Sequence, residues 1–237
     1  MFLDPETLST DLERLEGIEK GSMRLVAQAL YDFRETAAEI FRREPDLAQD
    51  IGEDISREAL DRMGMSRLDA RLYGKMDYKR ARYVFNRDYA VLQALFVDSK
   101  AEKISGKTTA TIQTSHTSII IRQVRGGREL NVSGKLHKFI ETEKGKCLTT
   151  TIFVKYNYDI ENNENRLISI TVAALPNGFL QELYNPNSQD VIWKAGRNAE
   201  TRGEEFRVRI AFDKLKKKKN WRVQTIPMFP HPFVWDD

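Results

Sequence analysis

The sequence holds a single cysteine, Cys147, among 237 residues. That excludes an intrachain disulfide and any cysteine-rich zinc site. The residue opens a strand-like run and reads as a small packed hydrophobe. No apolar stretch approaches the roughly 20 residues that cross a bilayer. The opening segment MFLDPETLSTDLERLEG is acidic and lacks the basic-then-apolar pattern of a secretory leader. The expected location is therefore the cytoplasm. Histidine is scarce, and His116, His137 and His231 show no metal-ligand spacing. All three read as structural or surface residues. There is no internal repeat and no low-complexity linker.

What is present is an ordinary globular balance, 41% hydrophobic and 31% charged residues, which excludes a disordered chain. The length suits one sizeable core. The formal net charge of +3 hides an asymmetry. Residues 1–63 hold 8 Lys/Arg against 16 Asp/Glu, a net of −8. Residues 191–222 hold 11 against 4, a net of +7. A duplex-binding protein needs a positive face and not a positive total. Composition alone leaves DNA contact and simple solubility both open.

Helical signals come first. Thr10 and Glu13 form a T-x-x-E capping box. Apolar residues then recur at near-helical spacing from Leu12 to Ile40. Gly17 and Gly21 are candidate breaks, and Pro45 ends the stretch. Asp46 is placed to cap a second helix, with Leu47, Ile51, Ile55 and Ala59 on one face and Gly64 closing it. From about residue 72 the pattern turns to strands. Tyr83–Phe85, Ala94–Val97, Leu148–Tyr158 and Leu167–Leu175 are rich in β-formers. The polar stretch Asp159–Arg166 joins the last two as a loop. Thr108–Gln123, with 4 isoleucines and 5 threonines, reads as a strand or a helix–strand boundary. Arg125-Gly-Gly-Arg128 is a turn signal. Pro176–Asn187 reads as a loop with one short helical turn. In Glu205–Asp213, Phe206, Val208, Ile210 and Phe212 alternate with Arg207 and Arg209. The expected organisation is one domain: residues 1–66 mainly helical, 67–222 sheet-containing, and 223–237 an extended tail.

The segment Gln93-Ala-Leu-Phe-Val-Asp-Ser-Lys100 carries the central chemical signal. On a strand, Asp98 and Lys100 share a face, roughly 7 Å apart at the backbone. Twenty-one residues upstream of Asp98, Asp77 supplies a second carboxylate. Hydrolysing a phosphodiester means attacking an anion with water. A hard cation must offset the developing charge, and oxygen ligands suit Mg²⁺. Asp77, Asp98 and the backbone carbonyl of Ser99 are the candidate ligands. Lys100 would orient or deprotonate the water, or stabilise the phosphorane. The bland alternative is a local ion pair between Asp98 and Lys100, because a D-x-K tripeptide alone is a weak signal.

Longer blocks narrow this. Asp77-Tyr-Lys-Arg-Ala-Arg and Leu95-Phe-Val-Asp-Ser-Lys-Ala101 resemble the active-site region of the SfiI-like type II restriction endonucleases. Thr149–Tyr158, Leu183–Asn187 and Ala195–Lys216 follow in the same order, and Gln28–Leu30 and Glu53–Ile55 precede them. The resemblance spans roughly residues 10–222. It implies an α/β fold of the PD-(D/E)xK kind, a mixed sheet flanked by helices, Mg²⁺ as cofactor, and interrupted palindromes bound by a homodimer or homotetramer. One departure is that Met76, not proline, precedes Asp77.

The resemblance also implies where double-stranded DNA is held. Arginine reads guanine in the major groove through two parallel hydrogen bonds. Lys194, Arg197, Arg202, Arg207 and Arg209 cluster in the segment that resembles the family's recognition region, and Glu204 suits cytosine N4. Lys79 and Lys107 suit phosphates. The run Lys216–Lys219 lacks forked donors and interleaved aromatics, so solubility explains it as well as DNA does. Glu53 and Asp54 are accessory acidic candidates, with Asp54 beside the apolar helix face on a helical wheel and Glu53 turned away. Two rival functions remain: a structure-selective repair nuclease on the same core, and a DNA-binding protein without catalysis.

Overall fold

The computed structural model describes residues 2–44, 48–64, 81–86, 89–104, 108–194 and 206–237. Helix α1 (Leu12–Arg43) is followed by α2 (Ala48–Arg62). Along α1, Leu15, Ile18, Ser22, Val26, Leu30, Phe33, Ala37 and Phe41 recur every three or four residues, and all are buried. The helix runs unbroken past Gly17 and Gly21, contrary to the sequence expectation. Gly17 serves packing: a Cβ there would run into the Tyr89 hydroxyl. The cap also differs. The Asp11 carboxylate accepts from the Arg14 amide at 3.1 Å, whereas the Thr10 hydroxyl donates to the Thr7 carbonyl. A charged acceptor at the helix N-terminus satisfies the orphan amide and the helix dipole together. Helix α1 ends two residues before Pro45, and Gly64 follows α2 with a φ of +72°. Pro45, Asp46 and Leu47 lie outside the described residues.

Eleven strands follow among the described residues. They are β1 (Ala81–Asn86), β2 (Val91–Lys103), β3 (Thr109–Gln113), β4 (Ile120–Arg125), β5 (Arg128–Ser133), β6 (Phe139–Thr142), β7 (Gly145–Glu161), β8 (Glu164–Leu175), β9 (Trp193–Lys194), β10 (Arg207–Ala211) and β11 (Val223–Pro227). Two short helices, α3 (Gln181–Tyr184) and α4 (Phe212–Lys218), lie among them. The central sheet has the order β1-β2-β7-β8-β11, with β6 also on β7. Strands β2 and β7 run parallel and the other pairs antiparallel, so the sheet is mixed. Strands β7 and β8 continue through most of the stretch expected as a loop and turn at Asn162-Asn163, both at positive φ. The sheet also extends past residue 222, because β11 pairs with β8.

Side-chain alternation divides this sheet into two faces. Leu95, Val97, Ala101, Ile152, Val154, Tyr156, Ile170, Val172 and Ala174 pack against α1 and α2. The opposite face carries Phe153, Ala173 and Val223, which join a second core with α4 and a three-stranded sheet ordered β3-β10-β9. In that small sheet Ala110, Ile112, Trp193, Val208 and Ile210 are buried, while Arg209 and Lys194 are exposed, as the alternating pattern requires. Strands β4 and β5 form a separate hairpin, with Gly126 and Gly127 at φ of 54° and 76°. After β11 the chain packs on α1: Phe233 lies 5.9 Å from Tyr31 between ring centroids, and Arg24 sits over Trp235. Among the described residues, no helix is long and apolar enough to cross a membrane.

Candidate active site

Strand β2 is buried almost throughout, and Asp98 is only 4% exposed. A carboxylate in such a strand carries a desolvation cost that apolar packing does not offset. Asp98 and Lys100 point to the face opposite the helices. Register places Asp98 beside Phe153 and Lys100 beside Lys155 across the parallel pair. The Lys100 ammonium donates to the Thr111 carbonyl of β3 and lies 5.9 Å from the Phe153 ring centroid. Two residues on, Glu102 meets the Lys155 ammonium at 2.9 Å, and Lys155 also donates to the Thr109 carbonyl at 3.2 Å. His116, in a short 3-10 turn after β3, brings Nδ1 within 3.3 Å of Asp98 Oδ2. A polar strip of Asp98, Lys100, Glu102, Lys155 and His116 thus lines the seam between the two sheets.

Ser99 points the other way. Its hydroxyl donates to the Ser56 hydroxyl of α2 at 2.7 Å, and Ser56 in turn lies 2.7 Å from the Tyr156 hydroxyl. Burial raises the Tyr156 pKa, so that phenol stays neutral. Any role for Ser99 at the polar face falls to its backbone carbonyl. On α2, Glu53 is half-buried, and Asp54 is exposed and paired with Arg57 at 2.6 Å. This reverses the helical-wheel expectation, because α2 turns its Gly52 side onto Tyr156 and Ala101.

Among the basic candidates, Arg209 pairs with Lys194 in register, so the two stand side by side on the outer face of the small sheet. Arg207 is half-buried beside them, and its carbonyl accepts from Arg125 at 3.0 Å. Burial lowers the Arg125 pKa from its ordinary value. The lysine run lies on α4 and just after it, and engages acids of the same chain. Lys216 reaches Asp236 at 2.7 Å, Lys218 reaches Asp190 at 2.6 Å and Lys219 reaches Glu16 at 3.5 Å. Asp77, Lys79, Lys107, Arg197, Arg202 and Glu204 lie outside the described residues. Cys147 is buried, and burial raises its thiol pKa.

Sequence inspection passed over two members of the strip. His116 was expected to be structural or surface, yet it touches Asp98. Lys155 carried a readable signal: a lone cation inside the apolar run Leu148–Tyr156 is as anomalous as Asp98 in its own strand.

The sequence signature of the family described as type II restriction enzyme SfiI matches residues 20–226. The chain belongs to the SfiI family of type II restriction endonucleases. Family membership makes it a DNA-hydrolysing nuclease. The type II restriction enzyme SfiI of Streptomyces fimbriatus is 30% identical over 230 residues, covering 91% of this chain and 85% of that protein. The fold agrees. The crystal structure of tetrameric restriction endonuclease SfiI bound to cognate DNA superposes with a TM-score of 0.78 at 28% identity, covering 93% of this chain and 87% of that one. The restriction endonuclease BglI bound to its DNA recognition sequence gives 0.77 at 15% identity, covering 95% and 94%, a likeness of fold.

Proposed function

We propose that this SfiI-family enzyme cuts double-stranded DNA at an interrupted palindromic site with Mg²⁺, through Asp77, Asp98 and Lys100. It acts as a homodimer or homotetramer on cytoplasmic DNA. The observation that carries this reading is Asp98, a buried carboxylate on the sheet face that also presents Lys100 two residues on. Carboxylate and backbone-carbonyl oxygens are the donor set a hard divalent cation takes. Asp77, Asp98 and the Ser99 carbonyl would hold the ion. Bound there, it would offset phosphate charge and make a water acidic enough to attack near neutral pH.

The chain's own groups then divide the work. Asp98, anchored mid-strand, keeps its carboxylate in place with little freedom to lose on binding. Lys100, reaching toward Thr111 from the same face, is positioned to orient the water or stabilise charge on the phosphate. Its neighbour Lys155 is neutralised by Glu102. The exposed Lys194 and Arg209, with Arg207 beside them, form the face offered to duplex DNA; on the family resemblance of their segment, Arg197, Arg202 and Glu204 are assigned to base contact and Lys79 and Lys107 to phosphates. Glu53, the less exposed acid of α2, is the better accessory candidate of its pair. A two-fold site needs at least two matched subunits, and the tetrameric state of the SfiI relative favours the tetramer for this chain.

Sequencing the ends of genomic DNA digested with Mg²⁺ tests the proposal. Breaks should fall at one short interrupted palindrome and vanish with a chelator. Breaks scattered over unrelated sequences, or confined to branched substrates, would contradict it.

A further inference from the structure

Residues 109–116 supply three separate contacts to the polar strip. The Thr109 carbonyl accepts from Lys155, the Thr111 carbonyl accepts from Lys100, and His116 meets Asp98. The third differs in kind, because it is a side chain placed against the acid on which the chemistry depends. Nδ1 of His116 lies 3.3 Å from Asp98 Oδ2, a close polar contact between two buried atoms that lacks hydrogen-bond geometry, with the His116 side chain 16% exposed and that of Asp98 5%. The turn that presents it is tied down. The Lys135 amide donates to the Thr114 carbonyl at 2.8 Å, the Leu136 amide donates to Thr117 at 3.2 Å, and Thr114, Ser115 and Thr117 are buried. The backbone that carries His116 is thus held in place.

We propose that His116 is a positioning residue for Asp98: its Nδ1, already against Oδ2, closes to a hydrogen bond when the carboxylate turns to a divalent cation and so keeps that carboxylate in one orientation. The inference rests on the metal-dependent reading above and extends it to a residue outside the D-x-K segment. Carboxylates that ligate metals are themselves held by hydrogen bonds, and losing such a partner typically weakens metal affinity by about 10–100-fold. An imidazole so placed restricts Asp98 without taking a coordination position itself.

Free Mn²⁺, followed by its electron paramagnetic resonance signal, provides a readout independent of DNA cleavage. The full chain is titrated as wild type, Asp98→Ala, His116→Ala and His116→Asn. The asparagine amide can donate from close to the position of Nδ1 while removing the ring. Wild type should bind the ion and Asp98→Ala should not. His116→Ala should bind about 10–100-fold more weakly, and His116→Asn within about threefold of wild type. Wild-type affinity in His116→Ala, or a loss in His116→Asn beyond about tenfold, would overturn the positioning role. Should the alanine variant fail to fold, His116→Leu, which fills the space without a donor, is read by the bounds given for alanine. Wild type that binds no Mn²⁺, or Asp98→Ala that still binds it, would overturn the metal reading itself.

Discussion

Arg222 is fully buried, and its guanidinium meets the equally buried Glu19 at 2.6 Å while donating to the Tyr184 hydroxyl. Glu19 also accepts from the Asn177 amide at 2.7 Å. Breaking a buried pair strands a charge away from water, which costs about 3–5 kcal/mol. Arg222→Met should lower urea-measured stability by that amount, and a loss below about 1 kcal/mol would show that the pair is not needed. No local pattern announces this residue, since its partner stands 203 positions away. Asp98 and Lys100 were readable because polar side chains interrupt an apolar strand. The His116 contact was not, because it depends on how β3 and its turn fold back over β2. At the DNA face, Arg207→Ala should weaken specific binding by about 1–3 kcal/mol if it forks onto a guanine. An equal loss on random DNA would assign it to phosphate.

Strand β2 is held from both sides. On the helix side, Ser99, Ser56 and Tyr156 form a buried hydroxyl chain that fastens α2 over the end of the strand that carries Asp98 and Lys100. Ser56→Ala orphans two buried hydroxyls, and a destabilisation of about 1–3 kcal/mol in denaturant titration is expected. An unchanged midpoint would mean the chain is idle. On the other side, β3 pairs with β10 and accepts from Lys100 of β2, so one short strand touches both the polar strip and the strand that carries Arg207 and Arg209. Element types were legible where one period dominates: the α1 spacing and the β10 alternation both appear in the fold. Boundaries were less so. The two glycines in α1 do not end it, and Gly17 serves packing, while β7 and β8 outrun their apolar centres because ladder bonds continue into polar residues.

Across the whole molecule, the acidic N-terminal segment and the basic C-terminal segment meet, with Lys219 and Arg222 reaching Glu16 and Arg222 also reaching Glu19. Part of that basic charge is consumed internally, since Lys216, Lys218 and Lys219 meet acids of their own chain. Lys194 and Arg209 stay exposed, the pair proposed above to face DNA. Replacing both with alanine should flatten the dependence of log affinity on log salt by about two phosphate contacts; an unchanged slope would move the duplex elsewhere. The fold class was readable from the block order of the chain, whereas the β3-β10-β9 sheet, assembled from distant strands, was not. Of all these measurements, paired cleavage and binding assays on Asp98→Ala bear most directly on the central claim. The variant should bind duplex DNA at near wild-type affinity and release no cut product at any divalent-ion concentration. Cutting at the wild-type rate by that protein would contradict the assignment of this strand end as the catalytic centre.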